Sequence, residues 1–104
     1  MSTLFTKIIN REIPANIAYE DDHIIVIHDI APKAPVHLLI IPKEEIPTVD
    51  DLQEKHQPLL WNMFKTAQQL SKDFGLKGYK LAFHVQEAGG QIVFHLHMHL
   101  MGYK

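Results

Sequence analysis

The chain has 104 residues, of which 46% are hydrophobic, and a net charge of −2 with histidines neutral. That length holds one domain, 1–104, with a small core, and the charge leaves no basic footprint for nucleic acid or a membrane surface. There is no cysteine, which excludes disulfides, thiol catalysis and cysteine-based zinc sites and agrees with a reducing compartment. Met1 to Ile9 is too short and too polar for a signal peptide, and no apolar run reaches the length of a membrane span, so a cytoplasmic location is expected. Eight histidines in so short a chain is the one unusual count.

In chain order, Ser2 or Thr3 is placed to cap a short helix through Leu4, Phe5, Ile8 and Ile9, a run that Pro14 closes. Ile17 to Glu20 reads as a strand, Glu20-Asp21-Asp22-His23 as a turn, and Ile24 to His28 as a buried β-branched strand. A proline-punctuated connection, Asp29 to Pro35, leads to a third strand from Val36 to Ile41. These connections are too short to hold crossover helices, so the pairing is antiparallel. Val49 to Glu54 suggests a helical turn. From Pro58 the period becomes helical, with Leu60, Met63, Phe64, Ala67, Leu70 and Phe74 on one face and Asn62, Lys65, Thr66, Gln69, Lys72 and Asp73 opposite. Gly75 suits the C-terminal cap. Tyr79 to Val85 reads as a strand, Ala88-Gly89-Gly90 as a turn, and Ile92 to Met101 as the last strand. The expected fold class is α+β: an antiparallel sheet of about five strands, one main helix and a short N-terminal helix.

The last segment carries the chemistry. In Phe94-His95-Leu96-His97-Met98-His99-Leu100-Met101, histidine alternates with apolar residues. A strand has a side-chain period of two, so His95, His97 and His99 share one face, spaced about 6.6 Å apart, while Leu96, Met98 and Leu100 face the core. Histidine is a poor strand former, so propensity does not account for three. One reading is a metal site built from these three with His37 or His84 added. A second is nucleophilic catalysis: close, buried imidazoles resist charging together, and a neutral imidazole can attack phosphorus or act as a base. A third is a core strand whose histidines are merely hydrogen-bonded. Gly89-Gly90-Gln91 lies just upstream, and such a loop lets backbone N–H groups approach an anion. A glycine loop entering a histidine row suits phosphoryl or nucleotidyl transfer.

His95-Leu96-His97-Met98-His99-Leu100-Met101 resembles the His-φ-His-φ-His-φ-φ motif of the histidine triad (HIT) family, where φ is apolar. Phe5 to Ala15, Ile27 to His37 and Leu39 to Lys43 are similar to the Hint branch of that family, and the resemblance runs from about Leu4 to Gly102. It implies a homodimer whose sheets join across a two-fold axis. It also implies a site for a purine nucleotide such as AMP or GMP, and hydrolysis of nucleoside phosphoramidates or acyl nucleotidates through a covalent nucleotidyl-histidine, with no metal or other cofactor. By the resemblance His97 is the nucleophile, His99 contacts phosphate and the leaving group, His95 orients His97, and His37 supports the triad from within. Asp29 takes the ribose hydroxyls. Leu4, Phe5, Ile8, Ile27, His28, Ile30 and Leu39 line the base pocket, while His84, Gly90, Gln91 and Ile92 fall in the phosphate-binding positions. Read without the resemblance, Asp29 shapes a turn and Leu4, Phe5 and Ile8 are core.

Two positions depart from the branch. His84 stands where it usually has an asparagine that touches phosphate, and Ile92 where it usually has a serine whose hydroxyl donates nearby. Loss of one transition-state donor costs on the order of hundredfold in rate when nothing replaces it. Weak hydrolysis, or a nucleotide-binding module with little catalysis, is therefore the alternative expectation. Many Hint proteins carry a tail beyond the triad strand that reaches the partner's site; this sequence ends at Lys104, so the resemblance sets no leaving-group preference. His99 favours the Hint side, since other branches commonly have glutamine there.

Overall fold

The computed structural model describes residues 3–104. Its first element is α1, Leu4–Ile9, capped by Thr3: the Thr3 hydroxyl accepts the Thr6 N–H at 3.2 Å, and the Thr6 hydroxyl accepts the Thr3 N–H at 3.3 Å. Ser2, the other expected cap, lies outside the described residues. Six residues are too few for a stable isolated helix, and α1 is held by burying Phe5 and Ile8. It ends earlier than Pro14 requires. Arg11 turns left-handed at φ 62°, and the Glu12 and Arg11 N–H groups bond back to the Lys7 and Ile8 carbonyls, which closes the helix on itself.

Five strands follow the expected pairing: β1 (Ile17–Glu20), β2 (Ile24–His28), β3 (Val36–Pro42), β4 (Gly78–Ala82) and β5 (Met98–Tyr103). They form one antiparallel sheet in the order β1-β2-β3-β5-β4. The long helix α2, Gln57–Asp73, takes Pro58 in its first turn and ends at Gly75, which is left-handed at φ 65°. Between β3 and α2 lie two 3-10 turns, Val49–Asp51 and Glu54–His56. Among the described residues no helix is long and apolar enough to cross a membrane.

Each face of the sheet has its own core. On one face Met63, Ala67 and Leu70 of α2 pack with Ile24, Val26, Leu38, Ile40, Leu96, Met98 and Leu100. On the other face α1 sets Phe5 and Ile8 against Ile25, Ile27, Leu39 and Ile41. The buried stripe of α2 is Met63, Thr66, Ala67, Leu70 and Ser71, so it is rotated from the expected one: Phe64 is exposed and Thr66 is inside. The hydroxyls explain this. Thr66 donates to the Asn62 carbonyl and Ser71 to that of Gln68, both at 2.8 Å, so neither enters the core unsatisfied.

Two strand boundaries differ from expectation. β4 ends at Ala82 rather than Val85, and β5 starts at Met98 rather than Ile92. The register pairs Ile40 with Met98, so two residues further along Leu96 would stand opposite Pro42, which has no N–H. Leu96 instead donates its N–H to the Ile46 carbonyl at 2.6 Å. The alternation survives without the ladder, because Leu96, Met98 and Leu100 all enter the α2 core.

Candidate active site

On the α1 face, β3 and β5 bring His37 and His99 together, and the segment before β5 adds His95 and His97. The rings of His97 and His99 lie 5.1 Å apart, and Phe5 from α1 packs edge-on against His97 at 4.9 Å. The residues singled out in three separate stretches of sequence thus meet at one place.

The hydrogen bonds fix where the ring protons sit. A carbonyl oxygen only accepts, so the 2.7 Å contact between His97 Nδ1 and the His95 carbonyl places the proton on Nδ1. His97 Nε2 is left with its lone pair. Likewise His95 Nε2 donates to the Pro42 carbonyl at 2.7 Å. The backbone N–H of Lys33 points at His37 Nδ1 at 3.1 Å, so that nitrogen accepts and His37 Nε2 carries the proton. It donates to His99 Nδ1 at 3.0 Å. The His99 proton therefore lies on Nε2, a buried atom with no protein partner among the described residues. A bare nitrogen on His97 and an unpaired N–H on His99 sit on neighbouring rings.

The electrostatics keep these rings neutral. Burial pushes His99 down from 6.5 to about 4, assisted by the neighbouring charges of His97, His84 and His37, while Asp29 pulls weakly the other way. Burial also lowers His97, partly offset by its bond to the His95 carbonyl. Asp29 sits at the edge of this cluster. One of its oxygens accepts the Ala31 N–H at 2.8 Å, and the other lies 3.4 Å from His37 Nε2. It shapes the turn and reaches the site at once.

The remaining expected residues divide. Phe5, Ile8, Ile27 and Leu39 form one apolar cluster beside the histidines. Leu4 and Ile30 are exposed, Ile30 almost completely at 99%. His28 does not join them. β2 alternates, so its ring lies on the α2 face, 6.0 Å from Phe74. His84, just beyond β4, stacks on His99 with ring centroids 4.4 Å apart. Gly90 is left-handed at φ 93° and packs on His84, where a Cβ would stand 3.7 Å from Nδ1. Ile92 is exposed. Gln91 is buried with its amide turned inward: its Oε1 accepts the Gln86 N–H, and its Nε2 donates to the Pro47 and Val93 carbonyls. Its side chain holds the glycine loop in place rather than facing a ligand. Sequence alone did not show the Lys33 N–H or the Pro42 carbonyl as parts of the site, since backbone groups carry no residue signal.

The metal reading named the histidine row with His37 or His84 added; of that set, His37 and His99 bring donor atoms together, joined by Asp29. Among the described residues the trio within 4.8 Å of one another is Asp29, His37 and His99. His37 Nε2 is protonated through its Lys33 contact and offers no lone pair there, so these residues do not fit a resident metal as they stand.

Fold and site together define a histidine-centred protein in which His97 keeps a lone pair at Nε2 and the neighbouring His99 keeps an unpaired N–H at Nε2. The match to the family model described as "Scavenger mRNA decapping enzyme C-term binding" covers residues 2–104. The chain belongs to the histidine triad family. It is 45% identical over 102 residues to a purine nucleoside phosphoramidase of Escherichia coli, covering 96% of this chain and 86% of that one. A HIT family hydrolase from Legionella pneumophila superposes with a TM-score of 0.96 at 45% identity, covering 99% and 94% of the two chains. A histidine triad nucleotide-binding protein from Candida albicans gives 0.88 at 29% identity, over 99% and 76%.

Proposed function

We propose that this protein hydrolyses purine nucleoside phosphoramidates or acyl nucleotidates at the α-phosphorus. The observation that carries this reading is the pair of ring tautomers, bare His97 Nε2 beside protonated His99 Nε2. His97 Nε2 attacks phosphorus, and the bond to the leaving nitrogen or oxygen breaks. The Nε2–H of His99 hydrogen-bonds the departing group, which takes up its proton from solvent. The His97 Nδ1 proton stays on the ring, hydrogen-bonded to the His95 carbonyl, and that bond supports the ring as it becomes charged. Water then attacks the nucleotidyl-histidine, its proton passes to solvent, the bond between phosphorus and His97 Nε2 breaks, and a nucleoside 5′-monophosphate leaves. The kinship to a phosphoramidase supports the substrate class.

In this reading the base lies on Phe5, Ile8, Ile27 and Leu39, with Leu4 and Ile30 closing over it and Asp29 taking the ribose hydroxyls. Gly90 and the Ile92 backbone face phosphate. The aromatic residues exposed on α2, Trp61 and Phe64, and the open edge of β4 form the expected homodimer surface.

The test is turnover of an adenosine phosphoramidate with chelator present. Wild type is expected to release AMP, and His97→Ala to lose on the order of a thousandfold or more. A nucleotidyl adduct on His97, caught by rapid quench and mass spectrometry, distinguishes nucleophile from general base. Turnover that survives His97→Ala, or that the chelator abolishes, overturns the reading.

A further inference from the structure

Helix α1 brings Phe5 to the His97 ring, yet little fastens α1 to the rest of the molecule. Its backbone hydrogen bonds are local: the Lys7 and Asn10 N–H groups return to the Thr3 and Thr6 carbonyls, and those of Arg11 and Glu12 to Ile8 and Lys7. Beyond its C-terminal end Arg11 pairs with Glu20 of β1. Among the described residues one side-chain hydrogen bond joins the helix itself to another part of the chain: the Thr6 hydroxyl donates to Glu45 Oε1 at 2.9 Å. Six residues do not hold a helix by themselves. The place of Phe5 therefore depends on apolar burial and on this bond.

Glu45 stands in the segment after β3, and the same segment holds the histidines. The Pro42 carbonyl accepts from the His95 ring, and the Ile46 carbonyl accepts the Leu96 N–H. Glu44 accepts from the His56 ring at 2.9 Å, which ties the segment to the start of α2. A closed circuit results. It runs from Glu45 to Thr6, along α1 to Phe5, across 4.9 Å to the His97 ring, down the chain to Leu96, and back through Ile46 to Glu45. His97 needs such a stop. Its Nδ1 is bonded to the His95 carbonyl, but a ring held at one atom can still tilt about that bond. Phe5, nearly perpendicular at 80°, limits the tilt.

We propose, resting on the hydrolase reading above, that Glu45 is a positioning residue for the nucleophile. By holding Thr6 it keeps Phe5 against the His97 ring, and so keeps Nε2 in line with phosphorus. The brace requires an acceptor oxygen at position 45, not a charge. Glu45 is exposed, and one exposed hydrogen bond adds little to global stability. A small misplacement of a reacting atom is nevertheless costly in rate.

The experiment measures the single-turnover rate of adduct formation on His97 at saturating adenosine phosphoramidate, and ¹³C relaxation of the His97 ring in the free protein. The variants are Glu45→Ala, Glu45→Gln, Phe5→Leu, and Glu45→Ala combined with Phe5→Leu. Glu45→Ala is expected to slow the adduct step about fivefold and to loosen the ring, with Tm nearly unchanged. Glu45→Gln, which still accepts from Thr6, should restore both. In the Phe5→Leu background Glu45→Ala should cost nothing further, since the two act through one contact. Equal losses in Glu45→Ala and Glu45→Gln overturn the proposal, because charge and not the brace is then at work. So does an unchanged adduct rate with an unchanged ring in Glu45→Ala. No adduct in wild type overturns the hydrolase reading instead; a ring loosened by Glu45→Ala and restored by Glu45→Gln would still support the brace.

Discussion

A single backbone N–H sets which nitrogen of His99 carries the proton. Lys33 donates to His37 Nδ1, His37 donates to His99 Nδ1, and the proton on His99 Nε2 follows. Lys33→Pro removes that first donor, and His37 is then free to take either tautomer. Turnover is expected to fall about tenfold. The check combines steady-state kinetics with ¹⁵N shifts of the ring nitrogens, which should show a mixed tautomer at His99 in the variant and one tautomer in wild type. The lowered basicity of His97 makes a second prediction. A base pushed below 6.5 stays unprotonated to lower pH, so in the free enzyme the acid limb of kcat/KM is expected below pH 6.5. A limb at or above that value in the pH profile would contradict the buried neutral nucleophile.

At the scale of elements, the glycine loop is held by one side chain. Gln91 satisfies the Gln86 N–H and ties the loop to the Pro47 and Val93 carbonyls. Gln91→Ala leaves three backbone groups to find other partners, a cost of about 1–3 kcal/mol for a buried group left unsatisfied. The expected result is a lower Tm, faster hydrogen exchange across residues 86–93 and reduced turnover. A contact made only with nucleotide would lower affinity and leave Tm unchanged. The same logic explains why the segment before β5 is not a strand. Pro42 cannot extend the ladder, so Leu96 bonds to Ile46, and the Pro42 carbonyl becomes free to take the His95 ring. A lapse in pairing thus becomes a means of orienting the triad.

For the molecule as a whole, the sheet places two helices on opposite faces, and the α1 face carries His37, His95, His97 and His99. The α2 face and the β4 edge keep large apolar groups in solvent, among them Trp61, Phe64 and Tyr79. Exposed apolar patches of this kind mark interaction sites. Sedimentation is expected to show a dimer that Trp61→Glu with Phe64→Glu converts to monomer. A wild-type monomer at working concentrations would refute the pairing proposed for this face.

The sequence by itself determined the hydrophobic runs that become strands, the long helix with its proline start and glycine stop, and the alternation that keeps three histidines on one face. These are local patterns, set by side-chain period and by the φ that proline and glycine permit. It also pointed to His37, Asp29 and the glycine loop as parts of one site. Only the tertiary structure decided which face each residue serves. His28 looked like pocket lining and falls on the α2 side, Gln91 looked like a ligand contact and braces the loop, and Thr66 looked exposed and is core. The physical reason is the same in each case. A polar side chain goes where its hydrogen bonds can be completed, and the partners that complete them, here the Lys33 N–H and the Pro47, Pro42 and Asn62 carbonyls, are backbone groups whose positions exist only once the chain has folded.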